Sequence, residues 1–139
     1  MGTIFSKIVD GEIPAHVVYE DETTLAFLDV NPLARGHTLV IPKAEYPRLT
    51  DVPPEEAADL YATVHRVVGA VQRAVDADGA TVGFNDGTAA GQEVEHVHCH
   101  VVPRHVGDGG GPLHDVMGQV ADVPDEEFDG IAEEIAAEL

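Results

Sequence analysis

The sequence predicts an α+β domain in which a five-stranded antiparallel sheet is covered on one side by a long helix. Three observations support this. Five short apolar segments are separated by Gly, Pro, Asn and Asp turn signals. One longer segment instead has the apolar spacing of a helix. The strands precede and follow that helix in groups and do not alternate with helices, which favours α+β over α/β. The chain length of 139 residues fits a single domain spanning 1–139.

The first third of the chain predicts a short helix and three strands. Residues 4–9 form the helix, which ends at Asp10-Gly11. The strands lie at residues 16–20, 24–30 and 37–41. An acidic turn joins the first two, which predicts a hairpin. Pro42 ends the third strand.

A long amphipathic helix follows from Pro53 to about residue 78. Two prolines and two glutamates suit its first turn. Apolar residues then recur at steps of three, four and seven, as Leu60, Val64, Val67, Val68, Val71 and Val75. Strands are predicted again at 81–85 and 96–102, the latter ended by Pro103. Residues 124–139 predict an acidic terminal helix with Phe128, Ile131, Ile135 and Leu139 on one face.

The charge excludes whole classes of partner. There are 26 Asp and Glu against 7 Lys and Arg, a formal net charge of −19. Affinity for nucleic-acid backbones and for anionic membranes comes from basic residues, so neither partner is expected. No apolar run approaches the roughly 20 residues of a membrane span. The start of the chain resembles no secretory signal, and Cys99 is the single cysteine, so we expect a cytoplasmic protein.

The same acidity predicts adaptation to high salt. Only two residues are lysine, and residues 74–139 hold fifteen acids and one base. At about 1 M salt the Debye length is about 3 Å, so neighbouring carboxylates hardly repel one another. At low salt the same charge opposes the compact state. The alternative is an ordinary acidic protein whose charge serves solubility alone.

The chemistry is predicted at three histidines spaced by two. Side chains alternate along a strand, so His96, His98 and His100 share one face, and Val97, Cys99 and Val101 share the other. Cys99 is therefore expected to be a buried small side chain. Three imidazoles on one face suit either a metal site or a nucleophile with anion-binding neighbours. The remaining histidines considered, His16, His65, His105 and His114, are expected at the surface or at caps.

The loop before the triplet favours the nucleophile. Gly87 and Gly91 permit a close approach of backbone N–H groups to an anion. Asn85 and Gln92 supply further donors. A β-barrel metal site of this type usually adds a Glu after the histidines, whereas Val102, Pro103 and Arg104 follow here.

These residues resemble the histidine triad (HIT) family of nucleotide hydrolases and transferases. The segment HVHCHVV at 96–102 is similar to the family's His-φ-His-φ-His-φ-φ signature, where φ is apolar. Further similar blocks occur in order, namely IFSKIVDGEIPA at 4–15, FLDVNP at 27–32 and GHTLVIPK at 36–43, and then Asn85, Gly91 and Gln92. The resemblance covers residues 4–104. Residues 105–139 comprise a Gly-rich loop and the acidic helix.

The resemblance implies a fold and a reaction. Each subunit would hold a five-stranded antiparallel sheet, and two subunits would form a homodimer with a ten-stranded sheet. The substrate would be a purine nucleotide attacked at its α-phosphate, with no cofactor. His98 would be the nucleophile and form a covalent nucleotidyl-imidazole. His96 and His100 would flank the phosphate, and His37 would complete the cluster.

The resemblance also places the nucleoside. Asp29 would accept hydrogen bonds from the ribose hydroxyls. Apolar side chains would line the base pocket, namely Phe5, Ile8, Ile13, Phe27 and Val30. Asn85, Gly91 and Gln92 would lie against the phosphate or the leaving group.

The departures from the family pattern also carry predictions. Some members hold zinc through Cys-x-x-Cys and two histidines, at positions occupied here by Thr3, Ser6, Glu45 and His96, so we expect no metal. Glu93 replaces a serine of the Trp-tailed phosphoramidase (Hint) branch, and no Trp is present. The chain is therefore closer to the bacterial-type and dinucleotide-hydrolysing branches. The alternatives are a metal-binding histidine-triplet protein and a nucleotide-binding module without significant turnover.

Overall fold

A computed structural model describes residues 2–139 and confirms the α+β fold. The three helices are α1 (Ile4–Val9), α2 (Pro54–Ala74) and α3 (Phe128–Ala137). The five strands are β1 (Val17–Glu20), β2 (Thr24–Leu28), β3 (Thr38–Pro42), β4 (Gly79–Phe84) and β5 (Cys99–Arg104). They form one sheet in the order β1-β2-β3-β5-β4, with every pair antiparallel.

The two faces of the sheet are covered differently. The predicted stripe of α2 packs on one face, where Leu60, Val64, Val67 and Val71 are buried against β2, β3 and β5. The short helix α1 packs on part of the other face through Phe5. A cavity also lies on this second face, where Phe27, Leu39 and His100 line it from the sheet.

Strand β5 begins later and ends later than the sequence predicts. We expected residues 96–102, but the ladder begins at Cys99 because the Val97 N–H donates to the Tyr46 carbonyl, outside the sheet. Pro103 does not end the strand. Strand β3 pairs with β5 only over Cys99–Val101, so Pro103 has β4 as its single neighbour. A proline at such an edge position removes no required hydrogen bond.

The predicted terminal helix is shorter than expected. A 3₁₀ turn at Asp125–Glu127 precedes α3. Its apolar residues Phe128, Ile131, Ile135 and Leu139 are all exposed. Among residues 2–139 no helix combines the length and apolar character required to cross a bilayer. The sheet ends at β1 and β4, and the ten-stranded sheet of a homodimer stays a prediction.

Candidate active site

A cavity of about 480 Å³ lies between α1 and the open face of the sheet. Ten of the predicted site residues line it, namely Phe5, Ile8, Ile13, Phe27, Asp29, Val30, Asn85, Gly91, His98 and His100. Its remaining lining includes Glu93 and Val94, which the sequence analysis did not assign to the site. His37, His96 and Gln92 do not line it. The cavity therefore unites most of the predicted site and excludes three of its members.

The tautomer of His98 is fixed by the backbone. Its Nδ1 lies 2.8 Å from the His96 carbonyl oxygen. A carbonyl only accepts, so Nδ1 carries the proton and donates it. The lone pair of the neutral ring is then on Nε2. The ring is nearly buried, and the Phe5 ring packs edge-on against it at 5.0 Å between centroids. The His96 carbonyl and the Phe5 ring together fix the orientation of the His98 ring.

A second series of hydrogen bonds begins at the backbone and runs through His37 to His100. The Leu33 N–H donates to His37 Nδ1 at 3.0 Å, so the proton of neutral His37 lies on Nε2. That nitrogen donates a hydrogen bond to His100 Nδ1 at 3.0 Å, so neutral His100 carries its own proton on Nε2. His100 therefore offers a donor where His98 offers a lone pair.

Burial keeps this pair neutral. Desolvation lowers the pKa of His37, opposed by the nearby Asp29 carboxylate. Desolvation, with the neighbouring histidines, lowers the pKa of His100 to about 4. Both rings are consequently uncharged near pH 7, which is the state that the hydrogen-bond chain requires.

Asp29 is positioned at the edge of the histidine cluster. Its Oδ1 accepts the Asn31 N–H at 2.9 Å, and its Oδ2 lies 3.6 Å from His37 Nε2. The carboxylate is partly exposed and lines the cavity. One oxygen therefore remains able to accept hydrogen bonds from a ligand.

The three triad histidines do not converge on a metal. Both nitrogens of His96 are bonded elsewhere, and His98 Nδ1 is bonded to a carbonyl. Ligand atoms of Asp29, His37 and His100 do lie within 4.8 Å of one another. However, the Leu33 N–H keeps the proton on His37 Nε2, so a metal there would need an imidazolate or a broken backbone hydrogen bond.

His96 lies behind the cavity in a network that includes Thr3, Ser6 and Glu45. Its side chain is fully buried. Nε2–H donates to the Pro42 carbonyl at 2.8 Å, and Nδ1 accepts from the Thr3 hydroxyl at 3.2 Å. Thr3 Oγ1 also accepts the Ser6 N–H, and Glu45 accepts from Thr3 N–H and Ser6 Oγ. Hydrogen bonds among Thr3, Ser6, Glu45 and His96 thus connect the N-terminus of α1 to His96.

This network predicts a protein without structural zinc. The four positions offer one imidazole, two hydroxyls and a carboxylate, and every one is already hydrogen-bonded. Purified protein is expected to contain well under one zinc per chain and to keep its melting temperature in EDTA. A Thr3→Cys, Ser6→Cys, Glu45→His variant, together with His96, rebuilds the Cys-x-x-Cys and two-histidine set expected of the zinc-binding members and serves as the positive control. Stoichiometric zinc in the unmodified protein would contradict the prediction.

The Gln92 side chain hydrogen-bonds within the loop that precedes the histidine triplet and to Pro47, and it does not line the cavity. Its Oε1 accepts the Gly87 N–H at 2.7 Å, and its Nε2 donates to the carbonyls of Pro47 and Val94. The Gly91 N–H donates to the Thr88 carbonyl. The N–H groups of Gly87 and Gly91 and the side chain of Gln92, which we expected to bind an anion, are therefore already hydrogen-bonded within the protein. Gly91 itself lines the cavity.

Cys99 and the four histidines outside the site lie where the sequence predicts. Cys99 is buried, and desolvation raises the pKa of its thiol to about 12, so no thiolate forms near pH 7. His16, His65, His105 and His114 are exposed.

Comparison with known proteins agrees with this geometry. The HIT domain model matches residues 10–107, most of the chain. The chain belongs to the HIT domain family. A solved structure of a protein from Streptococcus mutans superposes with a TM-score of 0.87 at 40% identity, covering 97% of this chain and 83% of that one.

Two relatives of this HIT protein have enzyme names. An adenylylsulfatase, HINT3 of Arabidopsis thaliana, is 42% identical over 73% of this chain and 51% of its own length. An asymmetrical bis(5'-nucleosyl)-tetraphosphatase of Schizosaccharomyces pombe is 38% identical over 75% of this chain and 56% of its own length. Nucleotide hydrolases thus occur among the relatives of this HIT protein.

Proposed function

We propose that the protein hydrolyses or transfers nucleotidyl groups by attack of His98 on a nucleoside α-phosphate. One observation carries the proposal: the lone pair of His98 Nε2 and the proton of His100 Nε2 belong to two neighbouring rings on one cavity wall. Their ring centroids are 5.0 Å apart. A nucleophile beside a neutral donor suits a phosphoryl group, which gains charge on its oxygens during attack.

The reaction has two steps. His98 Nε2 forms a bond to phosphorus, and the bond from phosphorus to the leaving group breaks. The leaving group departs with that electron pair and takes up a proton from solvent water. Water then attacks phosphorus, the P–Nε2 bond breaks, and a nucleoside monophosphate and a proton are released. The donor from His100 stabilises the phosphoryl oxygens in both steps.

The remaining walls suit a nucleoside. Phe5, Ile8 and Phe27 supply an apolar surface for a base, and Asp29 supplies an acceptor. Ligand pockets are generally apolar with a few placed polar groups. The relative named as a dinucleoside tetraphosphatase supports a nucleotide as substrate, and the relative named as an adenylylsulfatase supports a purine nucleotide.

Asp29→Ala tests the ribose contact. A hydrogen bond to a charged acceptor contributes about 1.5–3 kcal/mol, so we expect ribonucleotides to bind at least about tenfold more weakly. The 2′-deoxynucleotides, which have lost one hydroxyl already, should weaken less. Glu93→Gln, which alters another carboxyl group lining the cavity, is the matched control and should not discriminate between the sugars. Equal losses for both sugars in Asp29→Ala would refute the assignment.

A substrate panel tests the function itself. Adenosine phosphoramidates, diadenosine polyphosphates and adenylylsulfate are assayed at molar KCl for release of AMP. We expect turnover of at least one substrate class, insensitive to EDTA. Activity that EDTA abolishes and added metal restores would favour the metal-dependent alternative. Tight AMP binding with no turnover and no covalent adduct would favour the nucleotide-binding module.

A further inference from the structure

We infer that Thr3 is a positioning residue for His98, because its side chain connects α1 to the buried histidine whose backbone carbonyl holds the His98 ring. This role rests on the proposed attack by His98, since it concerns what keeps that nucleophile in place. Two routes lead from Thr3 to the His98 ring, one through His96 and one through α1. Thr3 itself does not line the nucleotide cavity.

The direction of each hydrogen bond around Thr3 is fixed by its partners. His96 Nε2 lies 2.8 Å from the Pro42 carbonyl oxygen, so Nε2 carries the proton and Nδ1 is an acceptor. The Thr3 hydroxyl therefore donates to Nδ1 at 3.2 Å, while its oxygen accepts the Ser6 N–H at 3.1 Å. The Thr3 N–H and the Ser6 hydroxyl both donate to Glu45. Thr3 thus bonds both to His96 and to the first turn of α1.

The first route passes through one peptide unit. The His96 carbonyl accepts from His98 Nδ1 at 2.8 Å, and the N–H of the same planar unit, which belongs to Val97, donates to the Tyr46 carbonyl at 2.7 Å. The fully buried His96 ring is attached to this unit. Without the Thr3 hydroxyl, Nδ1 of that ring becomes a buried acceptor with no partner, which is unfavourable. Rotation of the ring relieves this cost and turns the peptide unit with it.

The second route passes through α1. Thr3 is the N-cap residue of this six-residue helix, and its side chain satisfies the Ser6 N–H. The helix carries Phe5, whose ring packs edge-on against His98 at 5.0 Å and against His96 at 5.9 Å between centroids. A displaced α1 removes the aromatic contact that orients the His98 ring. Both routes therefore meet at the same imidazole.

The two contacts on His98 control which of its nitrogens can attack. A neutral imidazole carries its proton on the nitrogen that donates, which is Nδ1 here. Once the His96 carbonyl turns away from Nδ1, the proton is free to reside on Nε2, and that nitrogen then has no lone pair for phosphorus. Misplacement of a reacting group by about 1 Å is also costly, at about a hundredfold in rate. Thr3 thus affects the chemical step without contacting the substrate.

The test removes one hydroxyl and follows His98 in two ways. Thr3→Val keeps the shape of the side chain but neither donates to His96 nor caps α1, whereas Thr3→Ser keeps both hydrogen bonds. We expect kcat to fall at least about tenfold in Thr3→Val and to recover most of that loss in Thr3→Ser. Two-bond ¹H–¹⁵N NMR correlations of the histidine rings, with the His98 signals assigned from His98→Asn, report the tautomer. An Nε2–H form of His98 should appear in Thr3→Val alone.

A matched control and a second variant make the result decisive. Thr50→Val makes the same substitution at an exposed threonine of the turn at 49–51, which does not line the nucleotide cavity, so kcat and the tautomer should keep their unmodified values. Glu45→Ala removes the acceptor of the Thr3 N–H but keeps the Thr3 hydroxyl. It should change kcat and the tautomer in the same direction, and it decides the question if Thr3→Val does not fold.

The tautomer separates failure of this role from failure of the proposed function. A folded Thr3→Val protein in which His98 stays in the Nδ1–H form overturns the inference, whatever happens to kcat. A loss that Thr3→Ser does not recover overturns it as well. If the unmodified protein cleaves no member of the substrate panel, the proposed function fails, and the NMR comparison still decides whether Thr3 positions His98.

Discussion

His98→Asn is expected to abolish turnover while AMP affinity stays within about tenfold, or about 1.4 kcal/mol. Asparagine keeps an N–H that can donate to the His96 carbonyl, so the local chain retains its main hydrogen bond. It lacks the imidazole lone pair that attacks phosphorus. Because binding relies on the other walls of the cavity, chemistry and affinity should separate.

The control and the readout follow from the same geometry. His65→Asn removes an exposed imidazole on α2 and should leave kcat at its unmodified value. Rapid quenching of the unmodified protein with a substrate labelled at phosphorus should trap a covalent nucleotidyl-histidine, which His98→Asn cannot form. A variant that loses activity only through KM, with kcat intact, would show that His98 binds substrate and does not attack it.

The parts of the fold that follow from local patterns were predictable from sequence. The period of three and four in 60–75 and the alternation of the histidine strand depend only on neighbouring residues. The strand ends were not, because they depend on pairing with distant residues. The Val97 N–H donates to the Tyr46 carbonyl and is therefore not part of the ladder. Strand β3 pairs with β5 only as far as Val101, so β5 can continue through Pro103.

The candidate site shows the same division. The one-sided arrangement of His98 and His100 follows from alternation. The tautomers do not, since they depend on backbone groups such as the Leu33 N–H and the His96 carbonyl, whose directions only the folded chain defines. The sequence pattern identifies Thr3, Ser6 and Glu45 only as residues that replace the zinc ligands of some family members. Their shared network with His96 could have been inferred from the same four positions, because hydroxyls and a carboxylate also satisfy a buried imidazole.

Rising salt is expected to stabilise the protein strongly. Eight acids and no base lie in residues 122–138, and the described residues 109–139 contribute no ion pair. Like charges along α3 repel at helical spacing, and the exposed apolar residues of α3 offer no compensation within the subunit. Between about 0.01 and 1 M salt the Debye length falls from about 30 to about 3 Å, which removes all but near-contact repulsion.

The measurement is thermal melting and kcat/KM from about 0.05 to 3 M KCl, a range over which the Debye length falls to about 3 Å or below. A gain of a few kcal/mol would raise Tm by about 10 °C in a domain of this size. Screening also weakens the attraction of the phosphates to basic residues, but we expect stability to dominate and activity to peak at molar KCl. A Glu126→Gln, Glu133→Gln, Glu134→Gln variant reduces the repulsion in advance, so its Tm should rise less with salt. Flat or falling stability in the unmodified protein would refute adaptation to salt and leave solubility as the role of the acidic surface.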